Sequence, residues 1–78
     1  MKFRQYRVEG RVPTEGHEDG ATALYVATSE VQAKMLALED GMIAPLSARD
    51  LGRNTLRGHG IGRIGEIKVD SREPASYV

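Results

Sequence analysis

The sequence predicts an α+β fold of the order β-β-α-β, with one α-helix packed on one face of a three-stranded antiparallel sheet. Three observations support this. Apolar and charged residues alternate near the N-terminus, a central segment carries capping residues at both ends, and glycines cluster between the apolar segments. With 78 residues, the chain has the length of one small domain.

The N-terminal half predicts a β-hairpin. Residues 3–12 alternate between apolar side chains such as Val8 and charged ones such as Arg7. One face of this strand should therefore be buried and the other exposed to solvent. Residues 13–20 contain one proline and two glycines and predict a flexible hairpin loop. Residues 21–28 predict the second strand, and consecutive strands usually lie side by side.

The clearest helix signal begins at Ser29. Ser29 is a good N-cap, Gln32 completes a capping box, and Gly41 is suited to end the helix in the left-handed conformation. An apolar stripe with helical spacing predicts the face turned toward the core, with Ala33 and Ala37 beside it. The stripe comprises Val31, Met35, Leu38 and Met42.

The C-terminal half is less regular. An extended segment stops at Pro45, and Ser47 predicts the start of a single helical turn. Residues 52–65 are rich in glycine and predict a flexible loop, and the apolar residues of 64–69 predict the last strand. Residues 71–78 predict a polar tail.

The charges are balanced in total but separated along the chain. Lys and Arg number 11, as do Asp and Glu, yet residues 1–12 and 49–63 are net positive and residues 13–48 are net negative. Such segregation favours recognition of a charged partner over a purely solvated surface. The predicted partner-binding residues are six of the arginines in the two positive segments: Arg49, Arg53, Arg57, Arg63, Arg7 and Arg11.

Three of these arginines have regular spacing. Arg49, Arg53 and Arg57 recur every four residues, so they would share one face if this stretch were helical. Guanidinium groups in such a row suit carboxylates of a protein or phosphates of a nucleic acid. The alternative interpretation is that these arginines form an ordinary solvent-exposed surface with no binding role.

Motifs for catalysis, cofactors and metals are weak. Gly60–Gly65 matches G-x-G-x-x-G, but a strand and not a helix is predicted to follow it, so the phosphate-binding geometry is not expected. His17 and His59 are the only histidines and there is no cysteine, which leaves too few ligands for a zinc site. The sequence therefore predicts a protein that is not an enzyme and needs no cofactor or metal.

The location predicted from the sequence is the cytoplasm. The basic N-terminus lacks the apolar segment of a signal peptide, and the apolar runs are too short to span a membrane. The absence of cysteine agrees with a reducing compartment.

Two resemblances bear on function. The segments Tyr6–Pro13 and Ala27–Glu30, with Ala33, resemble archaeal ribosomal proteins of the LX type, which implies basic segments that contact ribosomal RNA. In size and neutral charge the chain also resembles the small inhibitors that phages make against host complexes, including anti-CRISPR proteins.

The function predicted from the sequence is non-enzymatic binding. We expect a small protein that docks on a protein or nucleoprotein complex through its arginines, with phage-type inhibition as one form. The first alternative is an RNA- or DNA-binding protein of ribosomal type that uses the same arginines. The second is a structural subunit in which an edge strand pairs with its own copy in a homodimer or larger assembly.

Overall fold

A computed structural model describes residues 2–70, so the predicted tail 71–78 lies outside the described residues. Within these described residues, four β-strands and one helix follow one another. In order they are β1 (Arg4–Thr14), β2 (His17–Ala27), α1 (Glu30–Glu39), β3 (Ile43–Arg53) and β4 (Gly62–Asp70). The strands form one antiparallel sheet in the order β3-β1-β2-β4, so β3 and β4 are its edges.

The α+β class is confirmed, but the prediction of a three-stranded sheet is wrong. The additional strand is β3, which occupies the stretch where a helical turn was predicted from Ser47. Pro45 is compatible with β3 because an edge strand has an unpaired side where the missing N–H is not needed. Ser47 pairs with Glu9 of β1 instead of capping a helix.

The predicted hairpin of β1 and β2 is confirmed, with a tighter turn than residues 13–20 suggest. Both strands extend into that segment, and the chain reverses at Glu15–Gly16, where Gly16 has a φ of 81°. Asp19 is buried close to the turn, where it accepts a hydrogen bond from the Thr14 hydroxyl at 3.0 Å. This bond joins the ends of the two strands.

The core lies between the sheet and α1 and is built mostly of small residues. Tyr6 and Val8 of β1 are buried, as the alternation predicts. Their partners from the rest of the chain are Ala21, Ala23, Tyr25, Ala27, Ala33, Ala37 and Met42. A layer that contains five alanines would leave voids unless the helix approached closely, and α1 does so through Ala33 and Ala37.

The ends of α1 agree with the sequence prediction. The Ser29 hydroxyl accepts a hydrogen bond from the Gln32 N–H at 3.1 Å. The Gln32 side chain reaches back to accept from the Thr28 N–H at 2.7 Å, one residue earlier than in a standard capping box. Gly41 has a φ of 102° and its N–H donates to the Leu38 carbonyl, which ends the helix.

The predicted core face of α1 is wrong for three of its four residues. Val31, Met35 and Leu38 are 66%, 56% and 51% exposed, whereas Ala33 and Ala37 on the opposite side are fully buried. The small alanine side chains let the helix backbone lie close to the sheet, and the larger residues then point outward. Of the predicted stripe, the helix-flanking Met42 alone is in the core.

The segment between the edge strands is shorter than the predicted loop of 52–65. It spans residues 54–61, because β3 continues to Arg53 and β4 begins at Gly62. Asn54 organises its start, with a side-chain oxygen that accepts from the Gln5 amide at 3.0 Å and from the Leu56 N–H at 3.1 Å. The predicted strand after the glycines is confirmed as β4.

Candidate docking surface

Within residues 2–70, α1 covers one face of the sheet and no helix covers the other. We call the uncovered side the open face. Side chains of a strand alternate between faces, so Arg7, Glu9 and Arg11 of β1 point away from the buried Tyr6 and Val8. The pairing of the strands aligns one row across the whole open face. From β3 to β4 this row is Arg49, Arg7, Leu24 and Ile64.

The open face contains a shallow groove of about 420 Å³ with an apolar floor. Leu24 and Ile64 are half-buried in the groove, and Leu51 beside them is 46% exposed. Leu51 reaches the groove because the pairing of β1 with β3 shifts between Gln5 and Tyr6, which leaves Leu51 without a direct partner. The charged lining comprises Arg7, Glu66 and Lys68.

Arg7 lines this groove, and Arg49 is the residue paired with it on β3. They lie directly opposite each other on neighbouring strands, an arrangement that is destabilising for like charges. The Nε atom of Arg7 is buried and has no hydrogen-bond partner within residues 2–70, since the nearest carboxylate oxygen, on Glu9, is 3.7 Å away. The side chain of Arg49 has no hydrogen bond or ion pair within the same residues.

The other predicted arginines are dispersed. β3 is a strand, so the spacing of Arg49, Arg53 and Arg57 does not place them on one helical face. Arg53 lies opposite Arg4 and lines a separate open cleft of about 520 Å³ with Lys2, Phe3 and Asn54. Arg57 is exposed in the 54–61 segment.

Two further arginines are engaged within the chain. Arg63 forms an ion pair with a carboxylate oxygen of Asp40 at 3.0 Å and donates to the Gly65 carbonyl at 2.9 Å, so it links β4 to the end of α1. Arg11 lies 4.0 Å from a carboxylate oxygen of Glu18 across the hairpin. The structure therefore brings Arg7 and Arg49 together and separates the other four.

Sequence reasoning missed the apolar floor of the groove. The alternation along β2 does place Leu24 on the face opposite Tyr25, which was the available signal. Leu51 and Ile64 gave no such signal, because both lie beside irregular pairing that periodicity does not encode. Lys68 was missed because its position on the open face depends on the register of β4 against Thr22.

On the helix side of the sheet, the pKa values of Tyr25 and Asp50 are shifted by their surroundings. Burial, together with a hydrogen bond from its hydroxyl to Asp40 at 2.8 Å, raises the pKa of Tyr25. Hydrogen bonds from the Arg4 guanidinium at 2.8 Å and from the Gly52 N–H hold the pKa of Asp50 below its usual range. Both contacts are structural links between elements and lie away from the groove.

The residues predicted as weak metal or catalytic candidates do not converge. His17 lies 3.3 Å from Asp19 at the hairpin turn, and His59 contacts the carbonyl of its neighbour Gly60 at 2.7 Å. Within residues 2–70 there is no group of three or more His, Asp or Glu side chains that could hold a metal ion. In the same range no helix has the length and apolar character needed to cross a bilayer.

The fold and the groove define the class of this chain as a small α+β protein with one exposed sheet face. No family model, curated protein or solved structure matches the chain.

Proposed function

We propose that this chain is a small non-enzymatic docking protein, and that its open face binds an acidic surface of a protein or nucleoprotein complex. The observation that carries the proposal is the Arg7–Arg49 pair beside an apolar groove. A phage-type inhibitor of a host complex is one form of such a protein, and the small size and neutral net charge support it.

The arginine pair supports a binding role because it is unfavourable in the free chain. Like charges directly opposite on neighbouring strands cost roughly 0.2–1 kcal/mol, and a buried N–H without a partner adds to that cost. A carboxylate placed between the two guanidinium groups would remove the repulsion and supply the missing acceptor. The planar guanidinium fork suits such a bidentate contact.

The groove supports a protein partner over a nucleic acid. Its floor of Leu24, Leu51 and Ile64 offers apolar contact, which is typical of the centre of protein–protein interfaces. Among the residues that line the groove there is no aromatic side chain on which a base could stack. The apolar floor and the basic border of the groove are together complementary to an acidic protein segment that also carries aliphatic or aromatic side chains.

Direct binding of RNA or DNA is the second candidate, and a different surface favours it. Lys2 and Arg53 line the separate cleft at the C-terminal end of β3, and Arg57 is exposed in the 54–61 segment. Neutralised phosphates would make the affinity fall by roughly one log unit per log of salt for each contact. Docking on a protein through the open face should respond less steeply to salt.

The test is affinity capture from a lysate of the native host, with and without nuclease, using wild-type protein and the variant Arg49→Glu. We expect a partner complex that survives nuclease and is lost by the variant. The variant should also unfold at a higher temperature than wild type, because Glu at position 49 attracts Arg7 where Arg49 repels it. A gain in stability combined with a loss of binding would show that Arg49 serves recognition.

The matched control is Arg57→Glu, which makes the same change of charge away from the groove. It should retain the protein partner. If Arg49→Glu leaves capture unchanged, the open face is not the docking surface. If capture requires nucleic acid and is lost in the double variant Arg53→Glu, Arg57→Glu, the second candidate replaces the first.

A further inference from the structure

We propose that the open face also accepts helix α1 of a second copy of this chain, so that the protein self-associates face to back. This inference rests on the proposed function, since it names an occupant for the same docking surface. It is carried by the outward apolar stripe of α1 and by the charges that border each surface.

The stripe on α1 has the form of a docking element. Val31, Met35 and Leu38 are more than half exposed and recur at i, i+4 and i+7, the spacing by which a helix anchors in an apolar groove. The core does not require these side chains, because Ala33 and Ala37 make the contact with the sheet. An aligned apolar row of this kind on a small protein commonly marks an interaction surface.

The side chains beside the stripe carry a net negative charge, and those beside the groove carry a net positive charge. On α1, Glu30 and Glu39 accompany Lys34, and none of these three side chains has a hydrogen bond or ion pair within residues 2–70. On the open face the charges without such a partner in the same range are Arg49 and Lys68 with one acid, Glu66. The helix therefore carries surplus negative charge and the groove surplus positive charge.

Charge also disfavours the simplest alternative, a symmetric pair of helices. Antiparallel packing of two α1 helices about Met35 brings Glu30 of one copy close to Glu39 of the other, and the reverse, at both ends of the contact. Packing α1 on the open face instead brings its acids to a surface that carries Arg7 and Lys68, with Arg49 opposite Arg7. Opposite charges across an interface favour encounter and fix orientation.

The two surfaces lie on opposite sides of one chain, which determines the kind of assembly. Each copy offers its helix to one neighbour and its open face to another, so the contact is heterologous and continues as a stack or closes as a ring. In the assembly every sheet is covered by a helix on both faces, a common layered arrangement. A heterologous contact of this kind cannot stop at a symmetric dimer.

The experiment is sedimentation velocity over a series of concentrations with two variants that each disable one surface. Met35→Glu places a charge in the stripe, and Leu51→Glu places one in the groove; both residues are exposed, so the fold should persist, which circular dichroism checks. Wild type should grow in mass with concentration, and each variant alone should stay monomeric. An equimolar mixture of the two variants should form a discrete 1:1 dimer, because each retains the surface that the other lacks.

Other outcomes overturn the inference and name the actual contact. Association that survives Leu51→Glu but not Met35→Glu indicates a helix–helix dimer, and association that survives both indicates pairing of edge strands. Ile61→Glu, at an exposed apolar residue outside both surfaces, is the control and should associate like wild type. A monomeric wild type removes the inference, whereas the proposed function still stands if Arg49→Glu abolishes capture of the host partner.

Discussion

Gly10 is the residue at which the core has least room. A Cβ atom at this position would collide with the Leu46 side chain and would lie 3.2 Å from the Ile43 carbonyl oxygen, which is backbone and cannot move aside. Glycine therefore allows the start of β3 to cross close to β1. The pairing of β1 with β3 also shifts between Glu9 and Arg11, on either side of this glycine.

We expect Gly10→Ala to destabilise the protein by about 1–3 kcal/mol, the usual effect of adding a methyl group to a filled site. Equilibrium urea unfolding measures it. Gly20→Ala is the matched control, because a Cβ there would meet only the Cβ of Asp70 at an ordinary 3.9 Å. An unchanged midpoint for Gly10→Ala would mean that Leu46 does not lie over this glycine.

Helix α1 shows which features of an element its own sequence determines. The caps at Ser29 and Gly41 depend on backbone groups within a few residues, so local sequence was sufficient to predict them. The buried face depends on what the helix packs against. A larger apolar residue normally gains more by burial than alanine, but the sheet beneath α1 leaves space only for Ala33 and Ala37.

The orientation of α1 makes a prediction about its stability. Ala37→Leu should destabilise the protein by about 1–3 kcal/mol, because the larger side chain has no space against the sheet. Met35→Gln removes a large apolar side chain and should change the free energy of unfolding by less than about 0.5 kcal/mol, as is usual for an exposed position. Urea unfolding of both variants checks this, and the reverse order of effects would place the apolar stripe in the core.

Strand β3 shows why the sheet was predicted with three strands. Pro45, Gly52 and the Ser47–Asp50 spacing all favour irregular or helical structure locally. They are accommodated because β3 is an edge strand with irregular pairing, and because Asp50 bonds to Arg4 of the neighbouring strand. Edge position and register are properties of the assembled sheet, so the open-face row and the arginine pair could not be derived from spacing along the chain.

At the scale of the whole molecule, the hydroxyl of Tyr25 joins three elements. It donates to a carboxylate oxygen of Asp40 at the end of α1, and the same oxygen forms an ion pair with Arg63 of β4 at 3.0 Å. Tyr25 itself is fully buried in β2. Since β4 is an edge strand paired with β2, this cluster is a second attachment that holds it to the rest of the fold.

The cluster predicts how the stability of the protein depends on alkaline pH. The pKa of Tyr25 is raised in the folded state, mainly by burial, so the folded chain keeps a proton that the unfolded chain releases above its ordinary pKa of about 10. Stability from this residue is therefore fully present below about pH 10 and is lost as the pH rises further. Urea unfolding of wild type between pH 8 and about 11 should show this decline.

The matched variant is Tyr25→Phe, which keeps the ring and removes the ionisable hydroxyl. At neutral pH it should be less stable than wild type by about 1 kcal/mol, because the Asp40 hydrogen bond is lost. Its stability should then fall less steeply above pH 10, since Tyr25 no longer contributes to the proton balance and the other titrating groups are common to both proteins. Parallel curves for the two proteins would mean that the phenol of Tyr25 ionises equally readily in the folded and unfolded chains, and that it does not fasten α1 and β4 to the sheet.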